Sequence, residues 1–397
     1  MNNGETTSRY TIQNILVRDY VLSFLVFFGF LSANHALSPT LPIYLARLGS
    51  NAREIGVLVG TVGVSSLLSR FLVARNLRVY SEKQIMMWGT MLFALTYLAL
   101  IIFRPFWPFF VVRLLQGFAF ASLDTAAIAY VIRIISPANR PRAISYLLLG
   151  SPLASAMVAS SAVFVVNKYG FAILLLGCTG LSVCAFLLSG NSKKPEKSKP
   201  AVISPDTKKL FFERKILAPA MVIFLFSFSW GGLTAFFPLY AIQCGVRNPG
   251  HFFSAMAVIL ILARFLGGRM LDTCSKEKTL PTVILISMGA LVILAFSKTL
   301  SMFIFAGMLW GVGGGFLPPV SMAYALDYAG SSDSSAVGTY QAFMDMGFAL
   351  GPAILGIIIP LTGYQTMFLC LGFVCLMNIC YFQFYLKRKS NIVPTGE

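Results

Sequence analysis

Runs of about twenty consecutive apolar residues recur about twelve times along this 397-residue chain, and no other feature constrains its fold as tightly. An α-helix of that length, rising 1.5 Å per residue, spans the roughly 30 Å of hydrocarbon in a bilayer. The expected spans are 20–46, 54–74, 85–104, 107–134, 142–167, 170–190, 216–243, 250–271, 279–298, 300–328, 336–361 and 364–385. The chain is 57% hydrophobic and 11% charged. A soluble domain cannot hide that much apolar surface, because folding leaves more than half of the exposed surface apolar in any case. The solvent for this surface is lipid, and the expected class is all-α and polytopic.

Most connections between runs are a few residues long. The exception, from Gly190 to Lys215, is polar, contains prolines and reads as a flexible linker. It divides the chain into a six-helix segment 1–190, a cytoplasmic linker 191–215 and a second six-helix segment 216–397. The net charge of +17 sits in short basic clusters between apolar runs, an arrangement that points away from nucleic acid. With the N-terminus inside, about 22 Lys and Arg face the cytoplasm and about 6 face out, so both ends are expected in the cytoplasm and the location is the inner membrane. The first nineteen or so residues are polar and the first apolar run exceeds a signal-peptide core, so no cleavable signal is expected. The seven cysteines lie mostly inside apolar runs without metal-ligand or paired spacing, as small buried hydrophobes do.

The two segments repeat each other at an offset of about 194–200 residues. PIYLARLG from Pro42 answers PLYAIQCG from Pro238, and RFLVARNLRVYSEK from Arg70 answers RFLGGRMLDTCSKE from Arg264. Gly117 and Ala129-Tyr130 answer Gly311 and Ala323-Tyr324, and SPLASA at Ser151 answers GPAILG at Gly351. Six spans per copy make both copies enter the membrane in the same direction, related by an axis along the membrane normal. Twelve helices in two pseudo-symmetric bundles around a central cavity are therefore expected, an architecture that implies transport.

These residues resemble the major facilitator superfamily over nearly the whole chain. The family pattern G-x-x-x-D-R-x-G-R-R between the second and third spans is closest in the second copy, with Gly268, Arg269, Asp272 and Lys276. The first copy departs from it at Ala74, Arg78 and Ser81, which puts the gating role of that loop in doubt. Arg113, Gln116 and Gly117 fit the R-x-x-Q-G signature of proton-coupled members, and Gly351-Pro352 keeps the G-P pair associated with antiporters. The resemblance implies an efflux-branch transporter of drugs, sugar-like metabolites or siderophores. It implies no cofactor beyond the proton gradient, no metal, and a monomer whose partners are a small-molecule substrate, protons and lipid.

Ionisable groups deep in a bilayer cost at least about 2.5–3.5 kcal/mol and are functional suspects. Four qualify as proton-coupling candidates: Asp345, Asp124, Arg113 and His35. Arg113 and Asp124 lie on one helical face with Gln116 and Phe120, about 16 Å apart along the axis, too far for an ion pair. Arg113 reads either as tuning a proton site or as a donor to neighbouring carbonyls. Asp345, near mid-membrane, is expensive to ionise and suits proton loading and release, or a polar contact between helices. His35, with an unperturbed pKa of about 6.5, is a switch candidate, although a lone histidine is more often a packing residue.

The expected cavity lining is Asn34, Gln116, Phe120, Trp230, Phe236, Tyr240 and Tyr324, apolar walls with a few polar groups for an amphipathic solute. Arg70, Arg75, Arg264, Arg269 and Asp272, near the cytoplasmic ends, read as gating or packing contacts. Proton-coupled export is the leading expectation, with uptake by symport or facilitation as the alternative. No nucleotide loop or nucleophile–base pair appears, which disfavours an enzyme, and a sensor would bring a soluble output domain.

Overall fold

A computed structural model of the protein describes residues 18–77, 79–103, 106–136, 139–193, 214–273, 275–329 and 334–386. All regular structure among them is helical: α1 (Arg18–Arg47), α2 (Ala52–Asn76), α3 (Glu82–Ile102), α4 (Phe106–Ile134), α5 (Arg140–Leu148), α6 (Gly150–Tyr169), α7 (Phe171–Gly190), α8 (Arg214–Gln243), α9 (Gly250–Thr273), α10 (Lys276–Phe296), α11 (Leu300–Ala329) and α12 (Ser334–Cys380), which a short π-helical turn (Tyr381–Leu386) extends. Ten stretches among the described residues are long and apolar enough to cross a membrane, α5 and α6 together forming one of them, and α9 adds a shorter apolar helix. The protein is a multi-pass membrane protein. α12 has 47 residues, about 70 Å of helix, far more than one crossing. Gly363, at φ 81°, interrupts it. Most of the linker, 194–213, lies outside the described residues.

The chain folds into two compact units. The first holds α3, α4, α5 and α7 with α1 up to Leu37, α2 from Ser65 and both ends of α6. α3 packs on α4 and α7. On α3, Gly89 lets the α4 backbone come in, since a β-carbon there would lie 3.2 Å from the Ala119 carbonyl oxygen. Phe30, Phe93 and Tyr97 form the aromatic centre, with ring centroids 4.4 and 5.0 Å apart. Ser81 caps α3 reciprocally with Gln84, each side chain meeting the other's backbone N–H. Lys83 donates to the Gly190 and Ser192 carbonyls and so ties down the end of α7.

The second unit holds α8–α12 together with 38–64 and 156–164. α8 lies along α12 because Gly347 and Gly351 sit four residues apart on the contact. β-Carbons there would meet the Phe224 and Phe228 carbonyl oxygens at 2.5 and 2.1 Å. Lipid supplies no hydrophobic drive between helices, so close approach over small residues holds such pairs. A second contact of this kind joins α2 to α12: β-carbons at Gly56 and Gly60 would lie 2.3 Å from the Pro352 and Ala349 carbonyl oxygens. Phe237 stacks on Phe252 at 4.0 Å, with Phe303 edge-on at 5.3 Å.

Four glycines among the described residues have positive φ, and they fall in matching places of the repeat. Gly49 and Gly245 end the paired PIYLARLG and PLYAIQCG segments, at φ 87° and 83°. Gly170 separates α6 from α7 at φ 89°, and Gly363 breaks α12 at φ 81°. A β-carbon is strained in that region, so these tight turns require glycine.

Candidate functional site

In the first unit the polar residues of α4 find partners on two levels. On the first, the Arg113 guanidinium donates to the Gln116 side-chain oxygen at 2.6 Å, both residues being buried. Gln116 Nε2 and the fully buried Tyr97 hydroxyl have no hydrogen-bond partner, and Tyr97 is an electrostatic neighbour of Arg113. Two donors and a cation thus meet in an apolar surround, a costly arrangement that suits a ligand or proton site. His35 on α1 meets the Ser151 hydroxyl of α6 at 3.0 Å, with Asn34 beside it half-buried. Phe120 is half-buried against Phe30, ring centroids 5.6 Å apart.

On the second level Asp124 pairs with Arg70 of α2 at 3.0 Å, side chains 17% and 21% exposed. The helical spacing that kept Asp124 from Arg113 thus leaves it facing a residue read from the sequence as a gate. Arg75, further along α2, is exposed.

In the second unit Asp345 is 7% exposed. It shares a face of α12 with Gln341, whose side-chain oxygen is buried without a hydrogen-bond partner, and with Ala349. That face is the one α2 packs on: a β-carbon at Gly63 would lie 3.0 Å from both the Asp345 carbonyl oxygen and the Ala349 β-carbon. Trp230 of α8 lies half-buried in an aromatic cluster with Phe226 and Trp310, centroids 5.8 Å away in each case. Gly314 makes room for its ring, 2.4 Å from where a β-carbon would be.

Three expected cavity residues sit inside the packing of this unit. Phe236 is 0% exposed, and the Tyr240 hydroxyl donates to the Ser297 carbonyl at 2.8 Å while its ring packs on Phe303 and Phe368. Tyr324, 6% exposed, packs edge-on against Phe382 with its hydroxyl unpartnered. Arg264 is half-buried, and the side chains of Arg269 and Asp272 lie outside the described residues.

Two ion pairs went unread in the sequence. Glu82, 3% exposed at the start of α3, pairs with Arg133 near the end of α4 at 2.7 Å. Lys276 at the start of α10 pairs with Asp327 near the end of α11, both more exposed. Each member of the second pair follows its counterpart by 194 residues, with the charges reversed. Starting the expected spans at 85 and 279 left Glu82 and Lys276 in loops. The Ser81–Gln84 capping pattern was the available signal that α3 begins earlier.

The Major Facilitator Superfamily profile matches residues 21–272 and 248–395. The chain is 22% identical over 393 residues to the staphylopine export protein of Staphylococcus aureus (strain Mu50 / ATCC 700699), covering 94% of this chain and 96% of that protein. It is 20% identical to multidrug resistance protein 2 of Bacillus subtilis (strain 168), covering 92% and 94%. The crystal structure of the nucleoside transporter NupG has the same fold, with a TM-score of 0.74 and 15% identity over 94% of this chain and all of that one. The buried polar residues on membrane helices, the repeat-related turns and these likenesses agree, and the chain belongs to the Major Facilitator Superfamily.

Proposed function

We propose that the protein exports a small amphipathic molecule (a drug, a sugar-like metabolite or a siderophore or other metallophore) by proton antiport through alternating access. The observation that carries this reading is similarity, over nearly the full length of both chains, to proteins named for export and multidrug resistance. Two pseudo-symmetric six-helix bundles, twelve crossings in all, suit that activity. Paired left-handed glycines and the two ion pairs offset by 194 residues support the two-fold repeat. Both ends lie in the cytoplasm and the inner membrane is the location, on the strength of the lysine and arginine distribution.

Asp345 is the proton carrier in this reading. It is a buried acid on the helix face that α2 packs against, so a change in its charge acts directly on a helix–helix contact. Asp124 already holds a cation, Arg70, and serves the coupling by exchanging that partner. Arg113 and Gln116 offer the solute a cation and a buried amide. One proton moving down 100 mV releases about 2.3 kcal/mol, enough for a roughly fifty-fold solute gradient.

Reconstitution in liposomes with an imposed pH gradient and a panel of candidate solutes tests the reading. Solute-driven proton flux is expected from the natural protein and is lost in Asp345→Asn. Transport that proceeds undiminished in both Asp345→Asn and Asp124→Asn identifies facilitated diffusion and refutes antiport.

A further inference from the structure

We propose that a cleft in the second unit, with neither Arg113 nor any acid among its lining residues, binds an oxyanion, a carboxylate or a phosphate. The cleft has a volume of about 470 Å³ and lies between the turn that follows α8 and the turn that joins α10 to α11. Arg247, His251 and Lys298 line it, all three exposed, and no Asp or Glu is among the lining residues. Two helices begin there, α9 at Gly250 and α11 at Leu300. The positive ends of their dipoles add to the side-chain charges.

Composition makes this convergence unusual for the chain. On the orientation proposed above, the cleft faces outward, where only about six Lys and Arg stand against about 22 inside. Two of those six, Arg247 and Lys298, line one cleft. The equivalent turn in the first copy shows how the same loop is built without such a site. After Gly49 it carries Arg53 followed by Glu54, and Glu54 exchanges hydrogen bonds with Asn51 to start α2. After Gly245 the second copy starts α9 with Asn248, which accepts from the Gly250 N–H at 2.9 Å. The sequence of that turn, from Gly245 to Gly250, contains no Asp or Glu.

The cleft also has a fixed wall. Asn248 donates to the Ser160 carbonyl of α6 at 3.1 Å, and the Ser160 hydroxyl meets His251 Nδ1 at 3.1 Å and Ser254 at 2.9 Å. Two lining residues are thus held in place by hydrogen bonds outside the cleft.

Two sources supply the ligand chemistry, an anionic lipid headgroup or a soluble anion, and one experiment separates them. A thiol placed at the exposed lining position, Leu300→Cys, reports the local potential in the full chain in nanodiscs. Its modification by sulfonate-bearing and trimethylammonium-bearing thiosulfonates is followed by peptide mass spectrometry, which separates it from the natural cysteines. Nanodiscs expose both faces, so the outcome is independent of orientation. Replacing Arg247 and Lys298 by Gln is expected to lower the anionic-to-cationic rate ratio about tenfold, and the exchange Arg247→Lys with Lys298→Arg to preserve it. Protection of the thiol by inorganic phosphate in phosphatidylcholine discs identifies a soluble oxyanion. Protection in phosphatidylglycerol discs without phosphate identifies the headgroup. A ratio unchanged by the double Gln variant, or protection by neither, overturns the proposal.

Discussion

The two repeat-related ion pairs make opposite predictions although they join the same points of the two copies. Glu82 is 3% exposed and Arg133 20%, whereas Lys276 and Asp327 are 30% and 65% exposed. Removing one member of a buried pair leaves an uncompensated charge and costs about 3–5 kcal/mol. Glu82→Gln is expected at the low end, about 3 kcal/mol, because Arg133 keeps some solvent and Glu82 Oε2 is itself unsatisfied. Asp327→Asn removes a screened pair and is expected to cost less than about 1 kcal/mol. The second copy also shows that the opposite polarity is tolerated, so Glu82→Lys combined with Arg133→Asp is expected to restore the attraction. The helix dipoles prevent full recovery. Glu82 lies in the first turn of α3 and Arg133 in the last turn of α4, each with its dipole, and the swap sets both against theirs. That leaves a deficit of about 1–2 kcal/mol. Equilibrium unfolding in mixed detergent and SDS, followed by tryptophan fluorescence, measures these variants together with the single changes Glu82→Lys and Arg133→Asp. If the swap is no better than the worse of its single changes, or Asp327→Asn costs as much as Glu82→Gln, burial is not what separates the pairs.

Gly60→Val places side-chain atoms against the Ala349 carbonyl, and transport is expected to fall at least tenfold for about 1–3 kcal/mol of overpacking; a liposome uptake assay reads it. Gly314→Ala drives a methyl group into the Trp230 ring, so a shift in tryptophan emission is expected with a loss of about 1–3 kcal/mol, and an unshifted spectrum contradicts the packing. Tyr240→Phe removes the donor to the Ser297 carbonyl and is expected to cost about 1 kcal/mol in unfolding while leaving substrate affinity unchanged. A changed affinity would return Tyr240 to the binding surface.

The membrane helices were legible because twenty apolar residues in a row have few other uses, and the turns because left-handed glycines recur at matching positions. Which face each helix presents was harder to read. Phe236 and Tyr240 carry the same aromatic signature as Trp230, yet two bury their rings in the unit and the third is half-exposed. Composition separates aromatic from aliphatic, but the close contacts that turn a helix come from glycines on its neighbour, such as Gly347 and Gly351 on α12. The ion pairs escaped for a different reason. Glu82 and Lys276 fall outside the expected spans 85–104 and 279–298, and only the tertiary pairing of α3 with α4 brings Glu82 to Arg133.

The contact between α2 and α12 connects the packing to the proposed chemistry. It brings the β-positions of Gly56, Gly60 and Gly63 against the Pro352, Ala349 and Asp345 carbonyl oxygens. Such a contact stabilises through close fit, which any displacement of one helix against the other removes. Asp345 lies on the α12 face of that contact, its carbonyl 3.0 Å from the Gly63 β-position. On the antiport reading, a charge appearing there is answered by separation of the two helices. A disulfide across this contact, formed between Gly60→Cys and Ala349→Cys, is therefore expected to stop transport and to be reversed by reductant. Full transport with the bond in place would mean that α2 and α12 never part, and would remove Asp345 from the mechanism.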